Sequence, residues 1–329
     1  MWIASSGRFE RKSAAFLGND APTSIAAYAL PDFLPMKQLF KRAFNRLRPA
    51  VVNELELEQG AVLRPGEAVA QQALMQSYRL LAALSPQSLP SLNEVGFRKY
   101  SQFEEDGMLL YLFSLIPPLN RTCVEICAGN GRENMTANLI LNHGWWGHLF
   151  DGDPGNVAAG NRFFARSRDT FLAPPRFTQA WITAENVNDL IRTSGATGAI
   201  DLLSLDIDGM DYWVWKAIDV IDPQVVVCET HNLIPPEFAL TVPYDPKFVC
   251  QNEEYRSASL AAMCKLGREK GYRLVGVHRY GFNAFFIKRG VGEEYFPEVT
   301  PEVCMQDPVT RRLLQEKWPM IKKLAWQEV

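Results

Sequence analysis

Acidic residues at the ends of short apolar runs are the groups in this sequence best able to do chemistry. They are Glu125, Asp151, Asp153, Asp206, Asp208 and Glu229. Glu125 is followed by a small-residue turn, residues 127–131, and then by a helix-like segment. A buried strand, a glycine turn and a helix N-terminus in that order suit a nucleotide-type ligand, because glycines let the backbone approach it closely. A tight connection between a strand and a helix explains the same turn without a ligand.

His231 directly follows another apolar run and is the candidate general base. Imidazole titrates near neutral pH, so His231 could remove a proton from an acceptor hydroxyl, although a structural histidine fits the pattern equally. Asp208, Glu229 and Asn232 carry oxygen ligands of the kind that Mg²⁺ prefers, so they form the candidate metal site. Carboxylates at strand ends also bind cofactors or cap helices, which leaves the metal open.

Short apolar strands alternate with helices from about residue 100, which predicts a mostly parallel sheet covered on both faces. The predicted strands are 122–128, 148–151, 177–182, 201–207, 224–229, 273–278 and 284–288. A predicted helix, 105–115, precedes the first strand. The helices between strands are 133–143, 156–167, 186–193, 212–218 and 259–270. A tight turn at Tyr280 and Gly281 should make the last two strands antiparallel. Because ligands bind beyond the carboxyl ends of such strands, the acids are expected to meet in one crevice.

Four regions are expected along the chain. Residues 1–35 show no sustained period and read as an extension, ordered or disordered, with Met36 as a plausible alternative start. Residues 36–95 read as a helical N-terminal region that opens with a basic amphipathic segment. The α/β domain covers 96–290, and a C-terminal tail with one helix covers 291–329.

Composition narrows the class of protein. The net charge of −3 provides no basic footprint for nucleic acid, and no apolar run is long enough to span a membrane. The six cysteines form no zinc or disulfide spacing, so we expect reduced thiols in a cytoplasmic protein. The expected partner is a small-molecule or glycan acceptor, with a homo-oligomer left open.

The turn at 125–131 resembles the acid-x-Gly-x-Gly-x-Gly turn of class I S-adenosylmethionine-dependent methyltransferases. Residues 100–107, 133–134 and 206–213 are similar to FkbM-like members of that class. The resemblance covers about 96–290 and implies a doubly wound, mostly parallel seven-stranded sheet, the Rossmann-like methyltransferase fold. The sequence departs from the pattern at Cys127, where the family has its first glycine.

The resemblance also implies a set of cofactor-binding residues for S-adenosylmethionine. Glu125, Gly129 and Gly131 would line its methionine and ribose parts. A carboxylate after the second strand would accept both ribose hydroxyls, with Asp151 preferred to Asp153. The adenine would lie at the segment 181–185, which makes its neighbours Ile182 and Thr183.

Further residues of the crevice have less settled roles. Gln102 would close over the cofactor or cap the 105–115 helix. Asp206 or Asp208 would lie next to the transferring methyl group, which makes Asp208 a catalytic candidate and Asp206 a cofactor contact. The long irregular stretch around 241–246 is assigned to the acceptor, because such loops are commonly functional.

The favoured function is S-adenosylmethionine-dependent O-methylation of a small molecule or glycan, with Mg²⁺ as an optional second cofactor. A metal-dependent glycosyltransferase using Asp206 and Asp208 is the alternative enzyme, but it leaves the Glu125 turn unexplained. A non-catalytic protein that keeps the fold and binds the cofactor is the alternative outside enzymes, because Cys127 replaces a glycine of the turn.

Overall fold

The computed structural model describes residues 65–329, and these are built around one large sheet. The extension 1–35 and the basic segment after it lie outside the described residues. The sheet contains β1 (Thr122–Ile126), β2 (Trp146–Asp151), β3 (Arg176–Gln179), β4 (Gly198–Leu205), β5 (Ile221–Glu229), β7 (Tyr272–Val277) and β8 (Asn283–Lys288). A separate short ladder joins β6 (Leu240–Thr241) to β9 (Gln327–Glu328).

The strands of the large sheet follow the order β3-β2-β1-β4-β5-β8-β7. Neighbours from β3 to β5 are parallel, whereas β8 is antiparallel to both β5 and β7. The predicted antiparallel pair is confirmed, and Gly281 in its turn has φ +78°. A mostly parallel seven-stranded sheet with flanking helices is the Rossmann-like methyltransferase fold, as predicted.

The helices form a layer on each face of the sheet. Those of the described residues are α1 (Pro65–Leu84), α2 (Glu105–Leu115), α3 (Ala137–His143), α4 (Pro154–Arg166), α5 (Val187–Ser194), α6 (Asp211–Ala217), α7 (Leu260–Glu269), α8 (Pro301–Cys304) and α9 (Pro308–Ile321). Helices α2, α3 and α4 contribute to one hydrophobic core, and α5, α6 and α7 to the other. The chain therefore changes faces between β1 and β4, which are neighbours, and ligands bind at such a switch.

The segment 291–329, predicted as a tail, packs against the loop that connects β5 to α7. Strand β9 pairs with β6 of that loop, and the Trp326 ring lies 4.9 Å from the Tyr255 ring. The Tyr255 hydroxyl donates to the Ala325 carbonyl at 2.7 Å. The C-terminal segment thus supports the loop over the carboxyl ends of β4 and β5. Among the described helices, none is long and apolar enough to cross a membrane.

Candidate functional site

The turn after β1 uses left-handed backbone at three positions. Cys127, Gly129 and Gly131 have φ of +64°, +55° and +75°. A Cβ at Gly131 would lie 2.8 Å from a carbon of the Phe164 ring, so packing of α4 against the turn requires this glycine. A Cβ at Gly129 would meet only the Glu133 carbonyl, at 3.8 Å, so Gly129 leaves its surroundings open to a ligand.

Cys127 takes the left-handed conformation that glycine adopts at no steric cost. Its thiol is partly buried, and burial, followed by the charges of Asp151 and Asp206, raises its pKa well above the ordinary value. The thiol therefore stays protonated at neutral pH. Cys127 is therefore close to the charges of Asp151 and Asp206, and it supplies the first left-handed position of the turn itself.

Glu125 supports the turn through hydrogen bonds to its own chain. Its Oε1 accepts from the Met135 N–H at 2.8 Å, and its Oε2 accepts from the N–H and the hydroxyl of Thr136. The side chain is buried, and burial raises its pKa to about 7 against the lowering effect of these hydrogen bonds. With both oxygens engaged, Glu125 positions the segment before α3, and its predicted contact with a cofactor stays a prediction.

Asp151 and Asp153 have different surroundings. Asp153 is exposed and caps α4, with Oδ1 accepting from the N–H groups of Gly155 and Asn156 at 2.6 and 3.0 Å. Asp151 is buried at the end of β2, and its Oδ2 accepts from the Gly129 N–H at 2.9 Å. Asp151 is therefore hydrogen-bonded to the glycine turn, whereas Asp153 is the N-cap of α4.

The predicted adenine segment lies beside Asp151. Ile182 is buried, and the Thr183 N–H is taken by the Asn186 side chain at 2.8 Å. A Cβ at Gly152 would lie 3.4 Å from the Trp181 ring, so this half-exposed indole adjoins the residue after Asp151. Trp181 belongs to the predicted adenine segment, but only Ile182 and Thr183 were singled out there, because the exposure of the indole is not visible in the sequence.

The segment before α2 is tied to the first turn of that helix. Asp106 Oδ2 accepts from the N–H groups of Lys99, Tyr100 and Ser101, so Asp106 organises this segment. Its other oxygen, Oδ1, is buried and has no hydrogen-bond partner among the described residues. Gln102 is partly buried in the same segment. Its two predicted roles, closing over the cofactor or capping α2, stay predictions.

Asp206, Asp208 and Glu229 form one cluster, which we call the acid cluster. Carboxylate oxygens of all three lie within 4.8 Å of one another, beyond the ends of β4 and β5. Burial and the charges of Asp208 and Asp211 raise the pKa of Asp206 to about 7. The Asp208 side chain is half exposed, and its φ of +57° places it in left-handed backbone. The predicted convergence of these acids is present in the structure.

Arg256 neutralises part of the acid cluster. Its Nη1 pairs with Glu229 Oε1 and lies 3.5 Å from Asp208 Oδ1, while its Nε lies 3.2 Å from Glu253 Oε2. Burial opposes its charge, but Glu229 and Asp208 raise the pKa of the guanidinium. The sequence analysis missed Arg256, because it comes from the β5–α7 loop, where nothing in the local pattern points to the sheet.

The chain around Arg256 is tied to the same acids. The Ser257 hydroxyl lies 3.0 Å from Glu229 Oε2 and 3.2 Å from Asp211 Oδ2. Asp211, at the start of α6, accepts from the N–H groups of Ile207 and Gly209 and so holds the turn that carries Asp208. A hydroxyl has one proton, so Ser257 cannot donate fully to both carboxylates. Burial raises the pKa of both carboxyls, and Arg256 opposes this effect at Glu229.

A resident Mg²⁺ does not fit this arrangement. Arg256 pairs with two of the three carboxylates, and a divalent ion among the same oxygens would lie against its permanent positive charge. Asn232, the third predicted ligand, donates its side-chain N–H to the Tyr280 carbonyl at 2.8 Å, in the turn between β7 and β8. The prediction of Mg²⁺ therefore gains no support.

His231 is not placed to be a general base, so this assignment is wrong. The imidazole is 2% exposed, with its ring 5.4 Å from the Trp326 ring. Nδ1 accepts from the Leu233 N–H at 3.3 Å, which leaves Nε2 to donate to the Glu254 carbonyl at 3.2 Å. Burial lowers its pKa to about 4. Both nitrogens serve the loop backbone, so the ring is a neutral structural group.

The loop predicted to bind the acceptor forms one wall of the crevice. The Tyr244 hydroxyl donates to Glu185 Oε2 at 2.6 Å and accepts from the Ala184 N–H at 3.2 Å. The Trp181 indole donates to the Pro246 carbonyl at 2.8 Å. A Cβ at Gly209 would lie 2.4 Å from the Phe248 ring, so the loop also covers the turn of the acid cluster.

The sequence matches no protein-family model and no curated protein. Among solved structures, an O-methyltransferase from Bacillus cereus in complex with SAH is 12% identical, with 66% of this chain and 98% of that chain covered and a TM-score of 0.37. The CcbJ methyltransferase from Streptomyces caelestis is 13% identical, with 60% and 96% covered and a TM-score of 0.37. A TehB-like SAM-dependent methyltransferase from Corynebacterium glutamicum is 12% identical, with 67% and 99% covered and a TM-score of 0.33. Likenesses this weak carry no argument about the ligand or the reaction of this chain.

Proposed function

We propose that this protein is an S-adenosylmethionine-dependent methyltransferase that methylates an oxygen of a small molecule or glycan. The observation that carries the proposal is the hydrogen bond from the Gly129 N–H to Asp151 Oδ2, at 2.9 Å. It joins an open glycine turn and a buried carboxylate beside the switch between β1 and β4. The turn allows close approach of a ligand. Asp151 Oδ1 accepts from the Asp153 N–H at 2.8 Å and from the Asn156 side chain at 3.2 Å, so about one acceptor site of the carboxylate, on Oδ2, is left for a ribose hydroxyl.

The methionine part of the cofactor has candidate partners around Glu125. The charge of Asp106 contributes to the raised pKa of Glu125, so the two residues are close. Asn134 is the residue before Met135, whose N–H donates to Glu125 Oε1. Asp106 Oδ1 and Asn134 Nδ2 are both buried without a hydrogen-bond partner among the described residues. An acceptor and a donor left over in this way suit an ammonium and a carboxylate group, because buried polar atoms are normally paired.

The charge of the crevice favours a cationic ligand. Arg256 pairs with two of its carboxyl groups, Asp208 and Glu229. The other carboxyl groups of the crevice are Glu125, Asp151 and Asp206. S-adenosylmethionine carries a sulfonium, which supplies an activated methyl group when bound. Removal of that positive charge by methyl transfer weakens the attraction to the acids, so the site favours the donor over its product.

The acid cluster replaces His231 as the proton acceptor in this proposal. Asp206 has a pKa of about 7, raised by burial and then by neighbouring acids, so it can hold or release a proton near neutral pH. Asp208 is half exposed at the mouth of the cluster and can orient an acceptor hydroxyl. Methyl transfer needs alignment of the acceptor oxygen and removal of its proton, and both fit these two residues.

The glycosyltransferase alternative is less well supported. It needs Asp206 and Asp208 to hold a divalent cation, but Asp208 faces the guanidinium of Arg256 at 3.5 Å. It also assigns no ligand to the surface formed by Gly129 and Asp151.

Calorimetric titration of the full chain tests the proposal. S-adenosylmethionine should bind saturably without added metal, whereas a UDP-sugar should not bind with or without Mg²⁺. Binding of the UDP-sugar and absence of S-adenosylmethionine binding would replace the methyltransferase with the glycosyltransferase.

A further inference from the structure

We infer that the Arg256 guanidinium is the resident cation of the acid cluster and takes the place of a divalent metal ion. Asp206, Asp208 and Glu229 bring their oxygens within 4.8 Å of one another, as ligands of a common ion would. One atom, Arg256 Nη1, pairs with Glu229 and lies 3.5 Å from Asp208. A cation of the protein itself thus lies at the carboxylates that would bind a metal ion at the ends of β4 and β5.

The chain holds this arginine in place from several sides. Its side chain is 11% exposed, and its Nε lies 3.2 Å from Glu253 Oε2, a charge contact that does not have the geometry of a hydrogen bond. The His231 N–H donates to the Ala258 carbonyl at 2.7 Å, and its ring donates to the Glu254 carbonyl at 3.2 Å. These two bonds clamp the backbone on both sides of Arg256. The guanidinium is therefore a built part of the site, unlike an arginine on a free surface.

A guanidinium and a divalent ion cannot share these oxygens. Arginine stays charged in proteins, so a metal ion among the same carboxylates would meet repulsion at short range. It would also lose oxygen ligands that the guanidinium already occupies, and Mg²⁺ needs near-ideal coordination. The reaction at this site should therefore need no divalent metal. The expectation of a metal-independent reaction rests on the proposed function, whereas the exclusion of a metal ion from the acid cluster does not.

Binding of Mn²⁺ distinguishes an acid cluster occupied by Arg256 from one that binds a divalent ion. Free Mn²⁺ is measured by electron paramagnetic resonance, with no other ligand present. Wild-type protein should show no site that depends on the acid cluster. Arg256→Ala should bind Mn²⁺ at least about tenfold more tightly than wild type, a change of about 1.4 kcal/mol. The double variant Arg256→Ala with Asp208→Asn should lose this gain, because it removes a ligand of the new site.

Lys317→Ala is the matched control. It changes the net charge equally and breaks an ion pair to Glu254 at 2.6 Å, but it touches none of the three carboxylates. Its Mn²⁺ binding should equal that of wild type. A wild-type site abolished by Asp208→Asn would overturn the inference, as would a folded Arg256→Ala protein with no gain.

The wild-type protein provides a second readout if Arg256→Ala does not fold. Its melting temperature should be the same in Mg²⁺ and in a chelator, and a rise in Mg²⁺ that Asp208→Asn removes would overturn the inference. Methyl transfer should also persist in the chelator. Failure to bind S-adenosylmethionine would end the proposed function and leave the Mn²⁺ result standing.

Discussion

Cys127 shows at the scale of one residue how a side chain can occupy a backbone conformation that glycine adopts freely. The cysteine has φ +64°, in the left-handed region. Left-handed backbone costs a residue with a Cβ roughly 1–2 kcal/mol, so the turn is retained at some cost in stability. The alternative of a non-catalytic protein was raised by this position, and the backbone conformation of Cys127 does not decide between the two.

Substitution of Cys127 tests whether the conformation matters more than the thiol. Cys127→Gly should keep stability within about 1 kcal/mol of wild type and keep cofactor binding, because glycine adopts positive φ freely. Cys127→Val should lose at least about 2 kcal/mol, since β-branched residues rarely tolerate this conformation. Urea unfolding measures both, with Cys250→Val as a control at a residue without positive φ. Equal stability of the glycine and valine variants would contradict the prediction.

The buried carboxyl of Glu125 predicts how stability changes with pH. Its pKa is raised by burial to about 7 in the folded protein, above the ordinary 4.5, so the folded state binds more protons between these values. Its contribution to stability is therefore complete at low pH and is lost as the pH rises through about 7. One pKa unit corresponds to about 1.4 kcal/mol, so the loss can reach about 3 kcal/mol.

Glu125→Gln should flatten this part of the dependence of unfolding free energy on pH, measured by urea unfolding from pH 5 to 8. Glu133→Gln is the control, because Glu133 lies in the same segment but its side chain is 56% exposed. The control should keep the wild-type slope. Parallel curves for wild type and Glu125→Gln would show that another group dominates.

At the scale of elements, the order and type of the strands and helices could be predicted because apolar periodicity is a local signal. The helix 105–115 is found as predicted, and strand β5 ends at Glu229 as expected. The helix after β1 begins at Ala137 and not at 133, because Glu125 holds the N–H groups of Met135 and Thr136. That correction depends on a side chain from another element, which a periodic pattern does not contain.

His231 failed as a base for a related reason. Its type and its place after a strand were visible in the sequence, but its partners come from residues 233, 254 and 326. Whether an imidazole titrates near pH 7 depends on such distant contacts, and here burial lowers its pKa to about 4.

His231→Ala should lower stability and leave the chemistry of the site in place. It removes the partners of the partly buried Leu233 N–H and Glu254 carbonyl, and each costs at most about 1–3 kcal/mol when it stays unpaired. The melting temperature should fall, while affinity for S-adenosylmethionine should change less than about twofold. Trp326→Ala, which removes the ring packed on the imidazole, should act in the same way. A loss of about 10²–10⁴ in turnover with unchanged stability would restore His231 as the base.

At the scale of the whole molecule, the function depends on which residues converge beyond the sheet. The meeting of Asp206, Asp208 and Glu229 could be predicted, since the ends of parallel strands share one edge. Arg256 could not, because a loop residue has no register that ties it to a strand. The resemblance to FkbM-like methyltransferases stays a prediction, and the acceptor is defined here by its chemistry alone.

Affinity for S-adenosylmethionine in two aspartate variants tests the central claim most directly. Calorimetry of Asp151→Ala should show a loss of at least about tenfold, because the carboxylate beside the glycine turn is removed. Asp153→Ala, which removes the cap of α4, should lower the melting temperature and keep the wild-type affinity. Wild-type affinity in folded Asp151→Ala, or no binding by the wild-type protein, would contradict the account.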